Sequence, residues 1–330
     1  MNTMKWLLRR EYWEHKGGFF WAPAIIAVVM LAVLGGTIAY GSLTHGLGTS
    51  TVIVNGHVVS QAHVISALPL HVREQIANSV ANSYLAAAAP LFAVLPFVAF
   101  FYCLAALYDD RRDRSILFWK SLPVSDQETV LSKVLTALCV APLITIAIGT
   151  ATALISVLIG LMVADANGLR LFGLVLSNPE FWLAPFRLVA LLPVYVLWAI
   201  PTVGWLLMVS AWARSKVFLW AVGIPLLGLM LARWINFMTS SYLDTQIDVH
   251  WIAINIVMRA LAGVVPGLWL PFGQVDPHAL LNSSERGVDA AGVFTQSWMT
   301  LTQPQVWIGV VVGAAMIFAA MRLRRWRDEG

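Results

Sequence analysis

Charge is what this sequence has least of. Of its 330 residues only 12% are Asp, Glu, Lys or Arg, while 59% are hydrophobic. A soluble domain carries roughly a quarter charged residues, so a chain this poor in charge is excluded from covering itself as a water-soluble fold. Cysteine is nearly absent as well. Cys103 and Cys139 both lie in apolar runs, which excludes a disulfide framework and any multi-cysteine metal site; they read as small buried apolar residues. The common catalytic signatures are missing: there is no Gly-x-x-x-x-Gly-Lys-Ser/Thr loop to cradle ATP phosphates, no His-Glu-x-x-His and no Gly-x-Ser-x-Gly. No catalytic residue and no bound cofactor is therefore assigned to this chain. The long apolar runs also lack the acidic residues that a proton or sodium relay needs. That weakens the alternative reading as a stand-alone secondary transporter or channel.

What is present is a succession of long apolar segments. Six of them, 19–40, 84–107, 134–163, 186–212, 217–238 and 305–321, are long enough to cross a hydrocarbon core of about 30 Å as helices. Without water to satisfy backbone polar groups, helices are what such segments must form. The expected fold class is an all-α integral membrane protein with six transmembrane helices, organised as one transmembrane domain over 1–330. The first run, about 22 residues, exceeds the 7–15 of a signal-peptide core and is read as a retained span. Pro90, Pro96, Pro142, Pro193, Pro201 and Pro225 fall inside or beside the runs, where neighbouring groups can satisfy the freed carbonyls.

The 21 basic residues set the orientation. If the N-terminus is cytoplasmic, Lys5, Arg9, Arg10, Lys16, Arg111, Arg112, Arg114, Lys120, Lys133, Arg214, Lys216 and the four arginines between 322 and 327 all share its side, as an excess of inner Lys and Arg requires. Both termini are then cytoplasmic. The basic excess is thus a membrane-topology signal, and no nucleic-acid partner is expected.

Segment 249–272 competes as a seventh span, but Arg259 stands at its middle and Pro266-Gly267 and Pro271 interrupt it. Counting it would carry the last basic cluster outside. It is read as a re-entrant or interfacial segment on the outer face, before the last span. The outer loops are 41–83 and 239–304. In the first, Thr51-Val-Ile-Val and His57-Val-Val-Ser flank Asn55-Gly56, a pattern that predicts a small β-hairpin. His45, His57, His63 and His71 occur in the same loop without cysteine or closely spaced carboxylates, and they are read as polar surface with no metal assigned. Arg233 is a candidate intramembrane charge, close enough to the end of its span to snorkel.

The loop 108–133 carries the mechanistic signal. Its first part continues the second span, with Asp109 and Arg112 three apart and Asp110 and Arg114 four apart. Pro123 stops that helix. Ser125 followed by Glu128 is a capping box that starts a new helix, which runs through Lys133 into the third span. A short helix, a break, and a helix joined rigidly to a span can transmit a push from a cytoplasmic partner to the membrane; a charged loop that merely anchors two spans at the lipid surface fits the same residues equally well. At the N-terminus, residues 1–18 place Trp6 and Trp13 seven apart, near Arg9, Arg10 and Lys16; the resemblance described next implies that they form an interfacial helix, with those basic residues meeting anionic lipid. Glu11 and His15, one turn apart, read as an ordinary surface pair.

These two segments resemble permeases of the type-2 ABC exporter family. The loop matches through Asp113-Arg114-Ser115-Ile116-Leu117, Ser121-Leu122-Pro123-Val124-Ser125 and Lys133, and the N-terminus through residues 8–16. Many members have Gly where Arg114 stands, which suggests a subgroup. The resemblance implies a permease that forms the substrate pathway of an exporter and couples it to a separate ATP-binding cassette ATPase. ATP and Mg would be held by that partner, with Arg114, Ser115, Leu122, Pro123, Ser125, Asp126 and Glu128 at or near the contact. It further implies a second permease copy, a homodimer ahead of a heterodimer, and residence in the bacterial cytoplasmic (inner) membrane. Trp6, Arg9, Arg10, Glu11 and Trp13 would belong to the interfacial helix.

Overall fold

Long apolar runs produce long helices. The computed structural model describes residues 3–45, 51–54, 57–60, 68–112, 125–242, 248–272, 281–282, 287–288 and 290–327. In chain order the helices are α1 (Thr3–Glu14), α2 (Gly17–Thr44), α3 (Leu70–Arg112), α4 (Asp126–Ala166), α5 (Phe172–Leu176), α6 (Pro179–Trp212), α7 (Val217–Ser240), α8 (Val249–Ala262), α9 (Trp269–Phe272), α10 (Ala290–Met299) and α11 (Pro304–Arg325). Six of them, α2, α3, α4, α6, α7 and α11, are long and apolar enough to cross a membrane. This is a multi-pass membrane protein. Strands β1 (Thr51–Val54) and β2 (His57–Ser60) pair antiparallel with Thr51 opposite Ser60; the turn expected at Asn55-Gly56 lies outside the described residues. Strands β3 (Leu281–Asn282) and β4 (Gly287–Val288) form a second short pair.

Prolines shape the spans as the chemistry of a missing N–H dictates. A wide helical turn at Gly17–Trp21 precedes Pro23, and another at Thr136–Val140 precedes Pro142. In each, the N–H that follows reaches back five residues, from Ala22 to Gly17 and from Ala141 to Thr136. Such local adjustment re-satisfies carbonyls that the proline leaves without a donor.

The second half of α6 is the central post. Val194, Ala199, Val203, Leu206, Leu207 and Val209 on it are buried, and its most extensive contact is with α11. Glycines allow that approach: a Cβ on Gly204 would stand 2.5 Å from the carbonyl oxygen of Gly313. With no hydrophobic driving force between helices in lipid, close backbone packing of this kind supplies the attraction. By contrast α2 and α7 keep most of their apolar side chains outward. A smaller core forms at the end of the bundle away from the basic residues, where the first half of α3 packs on α5 and the start of α6 through Ala77, Ala81, Tyr84, Val175 and Phe181. Tyr84 donates to the Phe181 carbonyl (3.0 Å) and Asn178 bonds Asn78 (2.8 Å).

Helix α8 is apolar but spans only about 14 residues, roughly 21 Å at 1.5 Å per residue. Turns follow at 263–268, where Gly267 has φ 81°, a backbone angle that glycine adopts freely. Gly263 packs its backbone directly on α6: an added Cβ would lie 2.6 Å from Thr202 Oγ1 and 2.8 Å from the Trp198 carbonyl.

Candidate functional site

Where the basic residues cluster, four elements meet on a buried chain of charges. Lys133, seven residues into α4, is 1% exposed. Its ammonium lies 3.0 Å from Glu11 Oε1 on α1 and 3.4 Å from Asp110 Oδ2 on α3. Asp110 also accepts from Arg324 Nη1 on α11 at 3.1 Å, and the Nε of that guanidinium reaches Asp126 Oδ1, back on α4, at 3.2 Å. The second oxygen of Glu11 accepts from Tyr102 Oη at 2.8 Å. Three carboxylates and two cations thus alternate, with Glu11 fully buried. Charges removed from water need such matching; an unmatched member costs several kcal/mol, about 3–5. Beside the network, Arg111 donates to the Ser210 and Ala213 carbonyls, and Ser210 Oγ accepts from the N–H groups of Leu107 and Tyr108. The basic ends of α3 and α6 are clipped together.

Helix α4 is the element through which this network meets the loop. Ser125 Oγ accepts from the Glu128 N–H (3.1 Å), and Glu128 Oε2 accepts from the Ser125 N–H (3.1 Å), the capping box that the spacing predicts. Asp126 and Glu128 in the first turn also face the positive end of the helix dipole. From Asp126 the helix continues through Ala166 without a stop. Arg114, Ser115, Leu122 and Pro123 lie outside the described residues.

Two sequence expectations change here. Glu11 is no surface partner of His15: its carboxylate is buried between Lys133 and Tyr102, and His15 Nδ1 meets only its backbone carbonyl, at 3.2 Å. Asp110, expected to pair locally with Arg114, which lies outside the described residues, links α4 and α11 through Lys133 and Arg324. In the sequence Lys133 reads as part of the loop pattern and Arg324 as part of a basic cluster, neither as a site residue. Trp6 and Trp13 are exposed, with Arg9 and Lys16 over their rings at 5.8 and 5.3 Å, and Arg10 pairs with Glu14 at 2.6 Å. Glu11, Glu14 and His15 lie close enough to hold a metal ion. The carboxylates are, however, already committed to Lys133, Tyr102 and Arg10, so the cluster fits ion pairing. Of the loop histidines, His71 is exposed and belongs to no such cluster among the described residues.

At the far end of the bundle the polar features are sparser. Arg233 is exposed on α7. The buried cation is instead Arg259 on α8, 7% exposed. It donates to the Gln305 and Val306 carbonyls in the first turn of α11 (2.5 and 2.9 Å) and lies 4.7 Å from the Trp198 ring centre. Its approach depends on Gly309, where a Cβ would stand 2.3 Å from the guanidinium carbon. Two adjoining apolar cavities, about 490 and 250 Å³, share Phe92, Leu188, Leu191, Pro266 and Val293 as walls. Arg187, on the wall of the larger, is held in a bidentate pair by Glu180.

Comparison with models of known protein families, with curated proteins and with solved structures found no match to this chain.

Proposed function

We propose that this chain is the membrane-spanning subunit of an ATP-driven exporter, with hydrolysis performed by a separate ATP-binding cassette subunit. The observation that carries the reading is α4. It opens on a capping box right after segment 113–124, runs unbroken into a candidate span, and is keyed by Lys133 and Asp126 to α1, α3 and α11. A displacement applied at segment 113–124 would move a rigid helix, and the charge network would pass that movement to three further elements. This is the mechanical property that a coupling loop requires. The segment 108–133, with Arg114, Ser115, Leu122, Pro123, Ser125, Asp126 and Glu128, is the docking region for the ATPase. Residues 3–14 lie on the inner leaflet, and both termini are cytoplasmic. Helices α8 and α9 form a re-entrant pair on the outer face. Its support is that α8 falls short of a hydrocarbon core of about 30 Å and that the chain turns at Gly267.

The apolar cavities fit a hydrophobic cargo. A volume of about 490 Å³ falls within the size range of small-molecule sites, about 300–1,000 Å³. A second copy of the chain completes the pathway in this reading.

Affinity purification from the native membrane, with identification of partners and assay of ATP hydrolysis, tests the proposal. The wild-type chain should bring down an ATP-binding protein. A Pro123→Ala/Glu128→Ala variant should retain it several-fold less, or hydrolyse ATP without transport. A chain that purifies alone and transports on an ion gradient would replace this reading with the self-sufficient transporter.

A further inference from the structure

Arg259 is a buried cation that the chain satisfies only in part. Among the described residues no carboxylate pairs with it. Among those residues its partners are two carbonyl oxygens and one aromatic face, and its Nε has no acceptor. A guanidinium offers five N–H donors, so most of them remain unmatched. The position is built: Gly309 leaves the space the group fills, and Thr202 Oγ1 holds α8 in place by donating to the Arg259 carbonyl at 2.6 Å and accepting from the Gly263 N–H at 2.9 Å.

The surroundings point to what completes it. Arg259 closes one end of a cavity of about 340 Å³ whose other walls include Pro201, Ile256, Ile308, Val312 and Met316. Along α11, Gln305, Ile308, Val312 and Met316 follow at helical spacing and lie on one face. The groove therefore starts at the cation and descends about 16 Å toward the middle of the bundle. Its apolar walls are open, since Ile256, Ile308 and Val312 are each at least two-fifths exposed. Val306 and Arg324 stand 18 residues apart on α11, about 27 Å along the axis. Arg259 thus lies nearly one hydrocarbon thickness (about 30 Å) from the charge network, at the headgroup level of the opposite leaflet.

We infer that this groove binds an anionic phospholipid from the leaflet opposite the basic end. Its phosphate meets the free donors of Arg259, and an acyl chain lies along Ile308, Val312 and Met316. The inference rests on the membrane fold and stands apart from the exporter reading.

Native mass spectrometry of the full chain in mild detergent, titrated with phosphatidylglycerol or phosphatidylcholine, tests it. The basic end will hold anionic lipid too, so the readout is the count of tightly held molecules. The wild-type protein should retain one phosphatidylglycerol per chain with at least tenfold preference over phosphatidylcholine. Arg259→Gln should lose that one molecule. Val312→Trp, which fills the groove and leaves the cation untouched, should lose it as well and guards against misfolding of the first variant. Glycerol phosphate, lacking the acyl chains, should not displace it. Equal retention by wild type and Val312→Trp, an unchanged count in Arg259→Gln, or displacement by glycerol phosphate would overturn the proposal.

Discussion

Buried arginines meet the two ends of α11 in opposite circumstances, Arg324 from α11 itself and Arg259 from α8. Arg324 meets Asp110 and Asp126, and Lys133 joins the same chain of charges through Asp110 and Glu11. Arg259 meets two carbonyl oxygens and the ring of Trp198. In the first region the protein supplies every counter-charge itself, so the charges act as a lock between helices. In the second the described residues supply dipoles only, and a net charge stays with the guanidinium. Both cations are buried against α11, yet matched charge holds structure together while, in the inference above, unmatched charge leaves room for a ligand.

The largest effect should come from breaking the lock at Lys133, the buried cation that joins two carboxylates. Lys133→Met keeps the length of the side chain and removes its charge, leaving Glu11 and Asp110 as facing carboxylates. Removing one partner of a buried pair costs about 3–5 kcal/mol, much of the stability of an ordinary domain. The variant should lose most of its folded, monodisperse fraction, read by size-exclusion chromatography after graded heating in detergent. Lys133→Met combined with Glu11→Gln should recover part of the loss, because the orphaned charge is gone. An unchanged melting profile in the single variant would mean that the network is not closed. Arg324→Gln should cost less, about 2 kcal/mol, since Asp110 keeps Lys133 and Asp126 is only partly buried. The same assay should rank it clearly between wild type and Lys133→Met.

That lock was the part least legible in the sequence. The spans were plain because membrane crossing is written in uninterrupted apolar length, a local property. Ser125 and Glu128 were legible for the same reason: a capping box is complete within four residues. Glu11 looked like any acid in a basic amphipathic helix, because its burial depends on Lys133, 122 positions away. Residue spacing holds no record of such a meeting. Arg259 was visible as a charge in an apolar segment, but it served only to argue against a seventh crossing. Its partners are backbone carbonyls, and those have no signature in the sequence.

Gly309 gives the finest test of the contrast, because it acts on the far arginine without touching any charge. A methyl group there would stand 2.3 Å from the Arg259 guanidinium carbon, so the cation must withdraw from α11. Overfilling of a packed site costs about 1–3 kcal/mol, and the lower part of that range applies here, since a long side chain can bend away toward the open groove. Gly309→Ala should therefore lower thermal stability in detergent by less than Arg324→Gln. In an Arg259→Ala background the same substitution should be nearly silent, as nothing remains for the methyl to strike. That non-additivity separates the two candidate roles of the glycine. If Gly309→Ala is equally costly with and without Arg259, the glycine serves helix packing in general. If the cost vanishes with the arginine, Gly309 exists to seat a cation that the protein leaves without a counter-charge.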